Sequence, residues 1–269
     1  MNIAFYWPFI HANKVFDNWR DGLRAAIEII AKEHEVDWII GQDKLPEAGK
    51  YDAIIFWDDS NSDFFKHFGD YKKEKIGLCL TTNPQNFENL NKLDVVYVES
   101  GPVYDQVRSH GMWALKAFGT DTNFYTPNNT NKDIENFYPA TFSPWKRQRD
   151  LAELGGSLYC VGTIQPDGQE DYQAVCNSGA TVEVGYFPPE HIRDLYRRAN
   201  NVVIPAVHGS ERTVLEAMAC GIEPDVNPDN TRAYSYIKEL EESGLSPRDF
   251  VVLNYSSEKY AKALLRGIL

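Results

Sequence analysis

The sequence predicts an α/β protein built from two Rossmann-like, doubly wound domains, and three observations carry that expectation. Short apolar runs alternate with amphipathic stretches along nearly all of the 269 residues, the pattern of a parallel sheet covered by helices on both faces. A polar, Asn- and Thr-rich segment after Gly119 interrupts the alternation, which then restarts. From Val202 to Gly221 an apolar run closed by Pro205 and Ala206 leads through a turn at Gly209 into a helix with charge in its first turn. That unit offers unpaired N–H groups and a positive dipole end to an anion, and Gly209 lets backbone approach it closely.

The elements follow in chain order. Residues 3–7 open as a strand, and 18–32 read as an amphipathic helix with Leu23, Ile27 and Ile30 on one stripe. Further strands are expected at 36–40, 53–57, 76–80 and 95–98, and a helix at 103–110, started by Pro102. After the polar segment come strand 137–142, helix 146–153, strand 158–161, helix 171–177, strand 181–184 and helix 190–199, then the strand that opens at Val202. A helix near 233–242, a strand at 250–253 and a terminal helix at 257–268 complete the chain. The expected division is a first domain over 1–120, a linker over 121–135, a second domain over 136–256, and a C-terminal helix, 257–269, packing back toward the first domain. Two such domains face each other across a cleft, and ligands of open α/β sheets bind beyond the carboxyl ends of strands. Asp58, Asp59, Thr81, Thr163 and Gly209 all fall at such ends, although a polar residue there is often only a turn or a cap.

Composition narrows the function. With 39 acidic against 27 basic residues the net charge is −12, which disfavours nucleic acid as the principal partner. No apolar run reaches the roughly 18 residues of a membrane span, and residues 1–8 lack the regions of a signal peptide, so a cytoplasmic protein without a transmembrane segment is expected. Cys79, Cys160, Cys176 and Cys220 are far apart with no histidine at ligand spacing, and read as small buried apolar residues rather than a metal site. No Gly-x-Gly-x-x-Gly turn follows residues 3–7, which speaks against a nucleotide-sugar epimerase or dehydrogenase.

Three motifs occur in order. Gly119-Thr-Asp121-Thr-Asn-Phe124-Tyr-Thr-Pro127 resembles the Gly-x-Asp-x-x-x-Phe-x-Pro linker of the group 1 retaining glycosyltransferases of the GT-B fold. Gly185-Tyr186-Phe187-Pro-Pro-Glu190 with Leu195-Tyr196-Arg-Arg-Ala199 is similar to that family's Gly-x-x-x-x-Glu and Leu-Tyr-x-x-Ala segment. Leu215-Glu216-Ala-Met-Ala-Cys-Gly221 is similar to its most recognisable string. The resemblance covers residues 94–225 and implies a GT-B architecture with an acceptor-side first domain and a nucleotide-sugar-binding second domain. It implies transfer of a hexose from a UDP- or GDP-sugar to an acceptor hydroxyl on a glycan, a protein-linked glycan or a small molecule, with retention and with neither metal nor other cofactor. A non-catalytic or degenerate nucleotide-sugar-binding protein is the alternative.

Carried over residue by residue, the resemblance puts Glu216 on the ribose hydroxyls, where a carboxylate suits two adjacent donors. Lys146 falls on the family's diphosphate lysine, whereas its arginine five residues earlier is Thr141 here, leaving Arg147 or Arg149 to supply that charge. Gly209, Ser210, Arg212 and Thr213 would face the diphosphate, and Thr163, Gly185, Tyr186 and Phe187 the base. The glutamate that begins the family motif, a contact to the transferred sugar, is His208 here, and Glu211 is an acidic substitute only if the turn is rearranged. Lys146, His208 and Glu211 are thus the candidate catalytic residues. His11, Asn13, Lys14 and Asp58 are candidates for the acceptor side.

Overall fold

The computed structural model describes residues 1–8, 20–41, 44–128 and 130–269. It divides into two compact units, one of Met1–Gly119 together with Ser257–Leu269, the other of Thr120–Ser256.

The first unit holds a six-stranded parallel sheet. Its strands are β1 (Asn2–Trp7), β2 (Glu35–Ile40), β3 (Ala53–Asp58), β4 (Lys75–Leu80), β5 (Val95–Val98) and β6 (Ala114–Lys116), in the order β2-β1-β3-β4-β5-β6. Neighbouring side chains alternate between faces. Tyr6, Ile54, Phe56 and Leu78 go to one core, covered by Val103 and Val107 of α3 (Gly101–Ser109). Phe5, Ile55 and Cys79 go to the other, covered by Ile27 of α1 (Gly22–Ile30) and by Leu264 of the terminal helix α9 (Ser257–Ile268). The Asp21 carboxylate caps α1 by accepting from the Arg24 N–H at 2.9 Å. A short helix, α2 (Phe87–Leu90), joins β4 to β5. The order reverses between β1 and β3, a switch point whose strand ends carry Trp7 and Asp58.

The second unit holds a five-stranded parallel sheet of β7 (Ile134–Pro139), β8 (Leu158–Gly162), β9 (Thr181–Val184), β10 (Ala199–Ile204) and β11 (Asp225–Val226), ordered β11-β10-β7-β8-β9. The helices are α4 (Gln169–Asn177), α5 (Pro189–Arg198), α6 (Glu211–Ala219), α7 (Thr231–Ser243) and α8 (Pro247–Asn254). Here the order reverses between β7 and β10, which pair Asn201 with Asn136 and Val202 with Phe137. The loop after β7 carries Lys146, and the loop after β10 carries Gly209. Sheet order, which no local pattern encodes, brings the two together.

Three expectations need correction. Residues 250–253 form part of α8 rather than a strand, because Ser246 accepts the Asp249 N–H at 3.2 Å and Pro247 starts the first turn. That cap outweighs a four-residue apolar run, and Leu253 is left exposed. The helix expected at 146–153 is 3₁₀ structure over Gln148–Ser157, broken at Gly155 (φ 54°) and preceded by a turn in which Arg147 is left-handed (φ 56°). The polar segment after Gly119 does pack, since Thr120, Asp121, Thr122 and Tyr125 are buried in the second unit. Asp121 folds it locally by accepting the Asn123 and Phe124 N–H groups at 3.1 Å. Strands β6 and β11 are too short to show a period and were not expected.

Candidate functional site

At the switch point of the second unit the chain builds a clamped glycine turn. Gly209 and Ser210 are both left-handed, with φ of 71° and 76°. For Gly209 this conformation is inexpensive, whereas a serine tolerates it at a cost of about 1 kcal/mol. The turn is held from two sides. Lys146 Nζ donates to Ser210 Oγ at 2.8 Å and to the His208 carbonyl at 3.3 Å. Asn230, the buried cap of α7, donates its Nδ2 to the Gly209 carbonyl at 2.7 Å and accepts the Ala233 N–H at 3.2 Å. A Cβ on residue 209 would lie 2.8 Å from Lys146 Nζ, so the ammonium rests directly on the bare backbone.

The loop that delivers Lys146 is fixed by a fully buried amide. Gln148 donates Nε2 to the Thr141 carbonyl at 2.9 Å and to that of Ala140 at 3.3 Å. Val207 N donates to the Trp145 carbonyl at 3.0 Å, which ties the β7 and β10 loops together. Tyr138 closes the floor, its hydroxyl 3.4 Å from Ser210 Oγ, and burial pushes that phenol well above its ordinary value.

Glu211 and Arg232 form an ion pair beside the turn, Nε to Oε1 2.5 Å, with both side chains 5% exposed. His208 is half-buried among these charges. Burial, then Arg232 and Lys146, lower its pKa from 6.5 against the opposing pull of Glu211, so the imidazole is neutral at neutral pH.

The structure therefore brings Lys146, His208, Gly209, Ser210 and Glu211 into one cluster. Thr213, a half-turn into α6, reaches the Pro139 carbonyl at 3.4 Å. Glu216 is not a solvated helix residue, being 5% exposed. It accepts the Tyr196 hydroxyl at 3.1 Å and lies 3.7 Å from Arg212 Nε. Burial, followed by the charge of Glu216, pushes the Tyr125 and Tyr196 hydroxyls well above their ordinary value. Thr163 meets Thr141 hydroxyl to hydroxyl at 3.0 Å, and the Gly185 N–H donates to the Gly162 carbonyl at 3.1 Å, so both lie at adjacent strand ends. Tyr186 is 71% exposed, and the Phe187 ring stands 5.1 Å from that of His191.

The two arginines expected to replace a charge at Thr141 are engaged elsewhere. Arg147 pairs with Asp150, and Arg149 makes a two-pronged contact to the fully buried Asp171 at 2.9–3.1 Å. In the first unit Asp58 is half-buried, bonded to the Asp59 N–H at 2.8 Å, and its pKa is raised chiefly by burial. His11, Asn13 and Lys14 lie outside the described residues. Sequence reasoning missed Gln148, Asn230 and Arg232. Arg232 carried a signal, since a cation in the first turn of a helix capped by Asn230 opposes the helix dipole.

Among the described residues no three His, Cys, Asp or Glu side chains are grouped to hold a metal, and no helix is long and apolar enough to cross a membrane. No protein-family model matches the chain, and no curated protein matches it. Solved structures do match. Sucrose-phosphate synthase from Thermosynechococcus elongatus aligns with a TM-score of 0.70 at 15% identity, over 99% of this chain and 98% of that one. Anabaena HepE, in complex with UDP and glucose, aligns at 0.65 and 12% identity, over 99% and 98%. The trehalose-6-phosphate synthase OtsA aligns at 0.68 and 8% identity, over 100% and 99%. At such identities the likeness speaks for fold alone, and the chain has the GT-B architecture of two Rossmann-like parallel-sheet units.

Proposed function

We propose that the chain is a retaining glycosyltransferase that moves a hexose from a UDP- or GDP-sugar to an acceptor hydroxyl without a metal. The observation that carries this reading is the Lys146 ammonium seated on the Gly209–Ser210 turn at the start of α6. There a cation, backbone N–H groups and a helix dipole converge where the departing nucleoside diphosphate would develop charge. The sugar C1–O bond to phosphate breaks as the acceptor oxygen bonds C1 on the same face. The acceptor proton then passes to the departing phosphate. No protein nucleophile is needed in this scheme; its catalytic effect comes from positioning and charge stabilisation.

In this reading Gly209, Ser210, Arg212 and Thr213 hold the diphosphate with Lys146, and neutral His208 hydrogen-bonds the transferred sugar. Glu216 takes the ribose, while Thr163, Gly185, Tyr186 and Phe187 border the base, for which an exposed Tyr186 ring offers a stacking face. Asp58, His11, Asn13 and Lys14 are assigned to the acceptor, which is a glycan, a protein-linked glycan or a small molecule. The cytoplasm is the compartment that supplies such donors.

A non-catalytic nucleotide-sugar-binding protein is the second reading. It is favoured by His208 and Thr141, which stand where the resembled family has its sugar-contacting glutamate and its diphosphate arginine. The two readings separate in one experiment, in which the protein is incubated with UDP-α-glucose and GDP-α-mannose, with and without sugar acceptors, and followed by proton NMR. Release of nucleoside diphosphate with an α-linked product is expected. Binding without release or transfer would leave the second reading, and a β-linked product would remove retention.

A further inference from the structure

We propose that Arg232 is the second cation of the diphosphate cradle and that Glu211 is its resident counter-ion, displaced when a diphosphate enters; this rests on the donor-site reading above. Arg232 is the second residue of α7, and Asn230, two residues before it, is bonded to the Gly209 carbonyl. The guanidinium is thus delivered to the same turn as Lys146, from a different strand loop. It also stands at the wrong end of its own helix, where the dipole repels a cation. Burying a guanidinium with a carboxylate seldom adds net stability over an apolar pair. The dipole of α7 therefore does not explain Arg232, and its position beside the turn does.

Glu211 is at the favourable end of its helix, as the first residue of α6. Its carboxylate lies 3.9 Å from where a Cβ of residue 209 would be, on the side that Lys146 also occupies. A helix N-terminus with two flanking cations draws an anion, and Glu211 supplies one from within the chain. A diphosphate carries more charge and can bridge Arg232 and Lys146, so it replaces Glu211, whose side chain turns out to solvent. Arg232 thereby provides the charge missing at Thr141, which Arg147 and Arg149, bound to Asp150 and Asp171, do not. The exchange makes Glu211 a competitor of the donor rather than a contact to its sugar.

Calorimetric titration with inorganic pyrophosphate and with UDP tests this. The Glu211→Gln variant is expected to bind both about three- to tenfold more tightly than the unchanged chain. Arg232→Gln is expected to bind both at least about tenfold more weakly, the effect of removing one charge-assisted hydrogen bond. Because Arg232→Gln leaves a buried carboxylate and can unfold, the double variant Glu211→Gln/Arg232→Gln, which keeps two amides facing each other, is compared with Glu211→Gln at equal thermal stability. At least about tenfold weaker binding by the double variant is expected. Equal binding by these two, or no gain in Glu211→Gln, overturns the inference while the donor site stands. If the unchanged chain binds neither pyrophosphate nor UDP or GDP, the donor-site reading falls and the inference with it.

Discussion

His208 carries the clearest pH signature at the scale of single residues. Burial, Arg232 and Lys146 hold its folded pKa below 6.5, and Glu211 opposes them. In the unfolded chain the imidazole takes up its proton near 6.5. The folded state binds that proton less readily, so the contribution of His208 to stability is complete above about pH 6.5 and is lost as pH falls toward the folded value. A His208→Gln variant should flatten the part of the stability profile just below about pH 6.5, measured by thermal melts across pH. An unchanged slope over that window would mean that the imidazole is not held among these charges. Of the residues in the cluster, Gly209 and Ser210 were legible because the turn and helix start are local patterns, and Lys146 only through the resemblance to a known family. Asn230 was not, since it reaches the turn only through the placement of α7 next to it, and Arg232 showed only as a cation at the wrong end of that helix.

At the scale of elements, the site depends on how closely β8 approaches the loop after β7. A Cβ at Gly162 would lie 2.2 Å from the Ala140 carbonyl oxygen, a clash with backbone that no side-chain rotation relieves. Gly162→Ala must push β8 away from residues 140–142, the segment held by Gln148 on the way to Lys146. A destabilisation of about 1–3 kcal/mol is expected in denaturant unfolding, the usual cost of overpacking. It should be accompanied by weaker nucleoside diphosphate binding. A variant as stable as the parent would contradict the described approach of these segments. The strands of this sheet were largely legible as apolar runs, and the helices as stripes. Where sequence reading went astray, at α8 and at the 3₁₀ stretch before β8, capping and a left-handed Arg147 decided against periodicity.

For the whole molecule, the two sheets were legible in outline and their strand orders were not, because order is set by long-range packing rather than by any window of sequence. The terminal helix α9 completes the first unit. Tyr97 donates its hydroxyl to the Leu264 carbonyl at 2.5 Å, and Tyr260, Ala261, Leu264 and Ile268 are buried. Removing residues 257–269 exposes several apolar side chains at about 1.5–3 kcal/mol each, comparable with the whole stability of a domain. Limited proteolysis of the truncated chain should therefore cut rapidly within residues 20–119 and spare 120–256. Equal resistance of both stretches would show that α9 is dispensable. Calorimetric binding of UDP and GDP to the unchanged chain and to a folded Lys146→Ala variant probes the donor site at its key cation. The unchanged chain is expected to bind at least one of them, and the variant to bind it about tenfold or more weakly. Equal affinity in the two proteins would contradict the donor site.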